Sequence, residues 1–191
     1  MKSKRLPILF VVATIILAFV MLETIKRAKK AEEATSPSQV INSSELVNIK
    51  TLEVDQKAPD FSVTTIDNKK LTLARFEGKV LVVTSGAAWC PTCWLEAKNF
   101  QPAYEEFKGR KVEFLNVDID SRDDESAVKD FQKQYAPWHN VHSGQARDMI
   151  KDYGFWHFEI TYIIDKDGVV RFVDMGITDT EVLRNELDKL I

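Results

Sequence analysis

Apolar residues fall along this chain in three different rhythms. From Leu6 to Leu22 they run almost without interruption, with Pro7 near the start and Thr14 the sole hydroxyl residue. Residues 23–56 are polar, carry the breakers Ser36-Pro37-Ser38 and Asn42-Ser43-Ser44, and keep no sustained period. Beyond about Asp55, short apolar runs alternate with amphipathic stretches. Two short strands are predicted over 61–65 and 70–73, around the polar turn Asp67-Asn68. The β-branched run Val80–Thr84 predicts a buried strand, and 112–117 another. Leu95, Ala97, Phe100, Tyr104 and Phe107 recur at roughly helical spacing, predicting a helix over 90–108 bent at Pro102. Val128, Phe131 and Tyr135 give 125–135 one apolar face, and 144–153 reads as a shorter helix. Lys166-Asp167-Gly168 is a turn between strands at 160–164 and 169–173. A last amphipathic helix is predicted over 178–191, with Thr178 and Glu181 at capping-box spacing. Strands interleaved with helices and closed by a hairpin predict an α/β domain, with a central mixed sheet flanked by helices.

The N-terminal run, Leu6 to Leu22, is at the short end of a membrane span and longer than most signal-peptide cores. It is apolar all round and flanked by charge on both sides, which does not suit a helix buried in a soluble domain. The bulky Phe19-Val20-Met21-Leu22 offers no small-x-small cleavage site, and no cysteine lies there to carry a lipid. One uncleaved N-terminal transmembrane helix over residues 6–22 is expected in preference to a cleaved signal. The chain then divides into a membrane anchor with flanking charges (1–30), a linker (31–54) and a globular domain (55–191). Lys2, Lys4 and Arg5 precede the span, and Lys26, Arg27, Lys29 and Lys30 follow it. The positive-inside count therefore does not choose an orientation.

Charge narrows the function. Of 26 basic and 29 acidic side chains, seven basic and one acidic fall in the first 30 residues, leaving the rest net acidic. An acidic body lacks the basic face needed to neutralise phosphates, so no nucleic-acid partner is expected.

The chemistry is concentrated in Ala88-Trp89-Cys90-Pro91-Thr92-Cys93-Trp94, which holds both cysteines of the chain at the junction of a predicted strand and helix. A helix start presents unpaired N–H groups and the positive end of the helix dipole. Both favour thiolate over thiol, which makes Cys90 the candidate nucleophile. Cys93, one turn further in, is placed to attack a mixed disulfide at Cys90. A purely structural bridge with two residues between its ends would add little by chain entropy, so the pair reads as a redox motif.

Trp89-Cys90-Pro91-Thr92-Cys93 within this order of elements resembles the thioredoxin fold. More narrowly it resembles the redoxin group: membrane-tethered thiol–disulfide oxidoreductases of the TlpA/ResA kind, peroxiredoxins and Sco copper proteins. Gln56-Lys57-Ala58-Pro59-Asp60-Phe61-Ser62-Val63 is similar to the group's opening segment, and Gly78-Lys79-Val80-Leu81-Val82-Val83 to its first core strand. Tyr162-Ile163-Ile164-Asp165-Lys166-Asp167-Gly168 is similar to its final hairpin. The likeness spans about residues 55–191. It implies a thioredoxin-fold domain and a membrane-anchored thiol–disulfide oxidoreductase, with Cys90 and Cys93 cycling between dithiol and a Cys90–Cys93 disulfide. It further implies client proteins bearing disulfides or cysteine pairs, and no required cofactor. The protein would cross the cell membrane once, with its soluble domain outside the cytoplasm, and serve cell redox homeostasis.

One position departs from the thioredoxin pattern. Where the family carries a cis-proline before its penultimate strand, this chain has Glu159 and no proline nearby. That position approaches the cysteine pair, so Glu159 is a candidate proton acceptor for Cys93; ordinary strand alternation would also account for it. Sco proteins similarly lack the proline and carry a copper-ligating histidine at the place of His157. The resemblance thus implies an alternative, a Sco-like copper chaperone holding copper through Cys90, Cys93 and His157, although Sco cysteines are separated by three residues and these by two. His139 and His142 read as loop histidines, and Asp118, Asp120, Asp123, Asp124 and Glu125 as a solvated loop and helix start. Trp89 is expected to form a docking surface and Trp94 to pack. The Pro-x-x-x-Thr-x-x-Cys arrangement of peroxidases is absent before Cys90.

Overall fold

The computed structural model describes residues 50–191, together with Met21 and Glu23. The expected membrane span apart from Met21, and most of the linker, lie outside the described residues. Among the described residues, no helix is long and apolar enough to cross a membrane.

Residues 50–191 lie in one unit, opened by a small antiparallel hairpin of β1 (Ser62–Thr64) and β2 (Lys70–Thr72). The main sheet contains β3 (Val80–Gly86), β4 (Val112–Asp118), β5 (His139–Val141), β6 (Ile160–Ile164) and β7 (Val170–Met175), in the order β5-β4-β3-β6-β7. β4 runs parallel to β3 and β5, whereas β6 is antiparallel to β3 and β7, so the sheet is mixed as expected. The α-helices of this unit are α1 (Pro91–Phe107), α2 (Glu125–Gln134), α3 (Arg147–Asp152) and α4 (Thr180–Asp188).

Strand alternation divides the core into two layers. Leu81, Val83, Leu115, Val117, Ile160, Tyr162 and Ile164 face one side of the sheet, where they meet Met149 and the hairpin residues Val63 and Leu71. Val80, Val82, Val112, Phe114 and Ile163 face the other, against Phe100, Phe107, Phe131, Leu183 and Leu187. β3 is buried at all of its positions, which explains its unbroken apolar run. Both cysteines belong to the second layer.

Three local expectations are corrected. The His139–Val141 segment is an edge strand, with Leu115 paired to His139 and Val117 to Val141, not a loop. The 144–153 helix is interrupted: a single 3-10 turn, Ser143–Gln145, precedes α3, and Ala146 lies between them. The Thr178–Glu181 capping box does not form, because Asp179 is the N-cap of α4. Thr178 instead donates its N–H to Glu96 Oε1 at 3.4 Å and its hydroxyl to Asp174 at 2.9 Å. Pro102 sits inside α1 as read from the sequence.

Candidate active site

The end of β3 and the start of α1 place the pair. Cys90 is the N-cap of α1 with extended backbone, Pro91 occupies the first helical position, and the Cys93 N–H donates to Cys90 Sγ at 3.4 Å. The sulfur thus takes the part a serine oxygen usually plays at a helix start. Gly86 closes β3; a Cβ there would stand 3.3 Å from Cys93 Sγ, so the missing side chain lets the strand end approach the thiol. The two cysteines are free thiols and only 4% exposed.

Glu159 converges on them from across the sheet. Its Oε1 accepts from Cys93 Sγ at 3.1 Å, from Cys90 Sγ at 3.4 Å and from the Thr92 hydroxyl at 2.6 Å. Ordinary strand alternation does not put it there. Glu159 precedes β6 and adopts φ 55°, a left-handed conformation that costs a non-glycine residue about 1–3 kcal/mol. Ser85 helps to fix that turn: its carbonyl accepts the Glu159 N–H at 2.8 Å, while its hydroxyl donates to the His157 carbonyl and accepts the Ile160 N–H. On the other side, the Gly176 N–H donates to the Glu159 carbonyl. The place of the family's proline is thus held by a buried carboxylate aimed at both sulfurs.

Burial pushes the Cys93 thiol far above its ordinary range, and hydrogen bonding to Cys90 and Glu159 pushes in the same direction. Cys93 therefore rests as a thiol and needs a base before it can attack. Glu159 Oε1 is the carboxylate oxygen in contact.

A second buried carboxyl, Glu96, is not evident from the hydrophobic pattern. It lies one turn beyond Cys93 on the inner face of α1, 3% exposed, and burial raises it to about 8. The Thr84 hydroxyl donates to Oε2 at 2.9 Å; the Thr161 hydroxyl and the Thr178 N–H reach Oε1 at 3.3 and 3.4 Å. The available signal was a charged residue at the same helical spacing as the buried Cys93, Ala97 and Phe100.

Around the pair, Trp89 is 49% exposed yet held in place. Its indole N–H donates to Asp120 Oδ2 at 2.8 Å, Arg122 lies over its ring at 5.5 Å, and Phe158 meets it edge-on at 5.8 Å. Arg122, which donates two N–H groups to the same carboxylate, holds Asp120 well below the usual carboxylate range. Trp94 packs as expected, stacked on Tyr135 at 5.4 Å. A shallow concavity beside the motif is lined by Ala88, Trp89, Trp94, Phe131 and Tyr135.

The acidic run is less solvated than expected. Asp118 is buried and accepts N–H groups from Asp120 and Ser143, and burial raises it to about 7. Asp124 caps α2 by accepting the Ala127 N–H. His142 is structural, its Nε2 donating to the Asp123 carbonyl while Nδ1 accepts the Gly144 N–H. Exposed His157 donates from Nδ1 to the Phe158 carbonyl at 2.5 Å. Among the described residues, the group whose ligand atoms gather closely enough to hold a metal is Cys90, Cys93 and Glu159, without His157.

Comparison with known proteins agrees with this fold. The sequence profile of the AhpC/TSA family matches residues 54–173. The thiol-disulfide oxidoreductase ResA of Bacillus thuringiensis subsp. konkukian is 33% identical over 139 residues, covering 73% of this chain and 79% of ResA. The chloroplastic peroxiredoxin Q of Suaeda salsa is 32% identical over 123 residues, or 60% of this chain and 56% of that protein. Among solved structures, a thiol:disulfide interchange protein DsbE from Chlorobium tepidum superposes with a TM-score of 0.63 at 20% identity, covering 73% of this chain and 99% of its own. The chain belongs to the AhpC/TSA family of thioredoxin-like oxidoreductases.

Proposed function

We propose that this protein is a membrane-anchored thiol–disulfide oxidoreductase, acting outside the cytoplasm on disulfides of client proteins. The observation that carries this reading is the capped Cys90–Cys93 pair with Glu159 Oε1 against both sulfurs.

The chemistry follows from the positions. The Cys90 thiolate attacks one sulfur of a client disulfide, forming a Cys90–client mixed disulfide and expelling the second client sulfur as thiolate. Cys93 gives its proton to Glu159 and attacks Cys90 Sγ. A Cys90–Cys93 disulfide forms, and the first client sulfur leaves as thiolate and takes up a proton. Two electrons have passed to the client, and an external dithiol must return them before the next cycle. The same steps run backwards oxidise a client dithiol.

Two other readings are less well supported. The peroxidase arrangement is absent: Val83 and Ala87 stand where it needs proline and threonine. The copper chaperone needs His157 beside the thiols, and the gathered ligand group contains Glu159 instead.

Reduction of insulin by the pre-reduced full-length chain tests the proposal. Wild type should precipitate the insulin B chain, and Cys90→Ser should be inactive. Activity retained by Cys90→Ser would overturn the assignment of the nucleophile.

A further inference from the structure

Cys90, Cys93 and Glu159 bring their ligand atoms within 4.8 Å of one another, from the first turn of α1 and the left-handed residue before β6. All three are buried. We propose that the reduced site binds one zinc ion through Cys90 Sγ, Cys93 Sγ and a carboxylate oxygen of Glu159, with the fourth tetrahedral position taken by water or an exogenous donor.

The spacing suits that ion. Zinc bonds of about 2.3 Å to sulfur and 2.1 Å to oxygen, at tetrahedral angles, separate sulfur from oxygen by about 3.6 Å. The distances here are 3.4 Å to Cys90 and 3.1 Å to Cys93, so closing on the ion requires movements of a few tenths of an ångström. The donors select the metal by class. Two thiolates exclude calcium and magnesium, which take oxygen ligands. The hard carboxylate favours a borderline divalent ion over copper(I), which prefers soft donors throughout. Thr92, whose hydroxyl donates to Glu159 Oε1 at 2.6 Å and lies 3.0 Å from Cys90 Sγ, holds that oxygen beside the sulfurs.

Binding exchanges the two thiol protons for the ion, so zinc affinity should rise with pH. Zinc and disulfide exchange exclude each other at this site: the bound dithiolate cannot attack a client, and the Cys90–Cys93 disulfide has no thiolate to offer. This zinc site stands on its own geometry and does not depend on the exchange reaction being the protein's function.

The test is competition for zinc between the full-length chain and a chromophoric chelator, using zinc chloride. The reduced wild type should hold one zinc per chain, and the oxidised protein none. Glu159→Gln, close in size, should weaken retention at least tenfold, whereas His157→Ala should leave it unchanged. Failure of the reduced wild type to retain zinc would overturn the proposal without reference to any variant. Equal retention by Glu159→Gln, or loss confined to His157→Ala, would overturn it as well. Insulin reduction by the same metal-free samples separates this outcome from the oxidoreductase reading, since either property can fail while the other is present.

Discussion

Glu159 Oε1 stands 3.1 Å from Cys93 Sγ, placing a carboxylate against the thiol whose burial most opposes ionisation. In a nonpolar layer beside Phe100 and Ile163, a thiolate is costly to form unless its proton has a nearby acceptor. The left-handed backbone at Glu159, held by Ser85 and Gly176, directs this contact, and strand periodicity does not require it.

Glu159→Gln should therefore slow the second half of the exchange. Glutamine can accept a hydrogen bond but cannot take the proton, and a positioned general base contributes about 10²–10⁴-fold. The expected result is a mixed disulfide that persists on Cys90 at least a hundredfold longer, with the first attack altered only a few fold. Rapid acid quenching during reduction of a small disulfide measures both steps. Unchanged resolution would remove Glu159 from proton transfer.

Much of this architecture is legible in the sequence, for physical reasons that differ from element to element. β3 and β4 announce themselves because both faces are buried, and Cys90-Pro91 marks a helix start through its cap and fixed φ. β5 has three residues, too few for an alternation to declare itself. The sequence does not mark Glu96 as buried, because a lone glutamate in an amphipathic helix ordinarily faces solvent. Here three partners from β3, β6 and the segment before α4 hold it inside. Glu159 was found through its place in the chain, but its backbone conformation and its contact with both sulfurs are tertiary facts.

Glu96 gives a pH signature. Its carboxyl is raised from 4.5 to about 8 in the folded protein, so between those values the folded state binds a proton that the unfolded state has lost. Stability should fall as pH rises through that window and level off above it. Asp118, raised from 3.8 to about 7, acts in the same sense over a lower range. Glu96→Gln should flatten the decline between pH 4.5 and 8 and raise stability at pH 8 by an amount on the order of a few kcal/mol. Urea unfolding at several pH values measures this. Parallel pH profiles for variant and wild type would show that Glu96 does not carry the dependence.

Trp89 should matter for large clients more than for small ones. Its half-exposed ring is fixed by Asp120, Arg122 and Phe158 next to the nucleophile, so it offers apolar area with little further ordering cost. Trp89→Ala should raise KM for protein substrates carrying one accessible disulfide by about tenfold, the effect of some 1.4 kcal/mol. Reduction of glutathione disulfide should change only a few fold. Equal losses on both substrates would assign Trp89 to the integrity of the motif and not to docking.

Cys90 attacks and Cys93 resolves, and covalent trapping separates the two roles. Cys93→Ser should accumulate a covalent adduct with a disulfide-bearing client through Cys90, seen by mass spectrometry and released by dithiothreitol. Cys90→Ser should accumulate none, because its remaining thiol is buried and held protonated. Adducts on Cys93 in the Cys90→Ser protein, with none on Cys90 in Cys93→Ser, would make Cys93 the nucleophile instead.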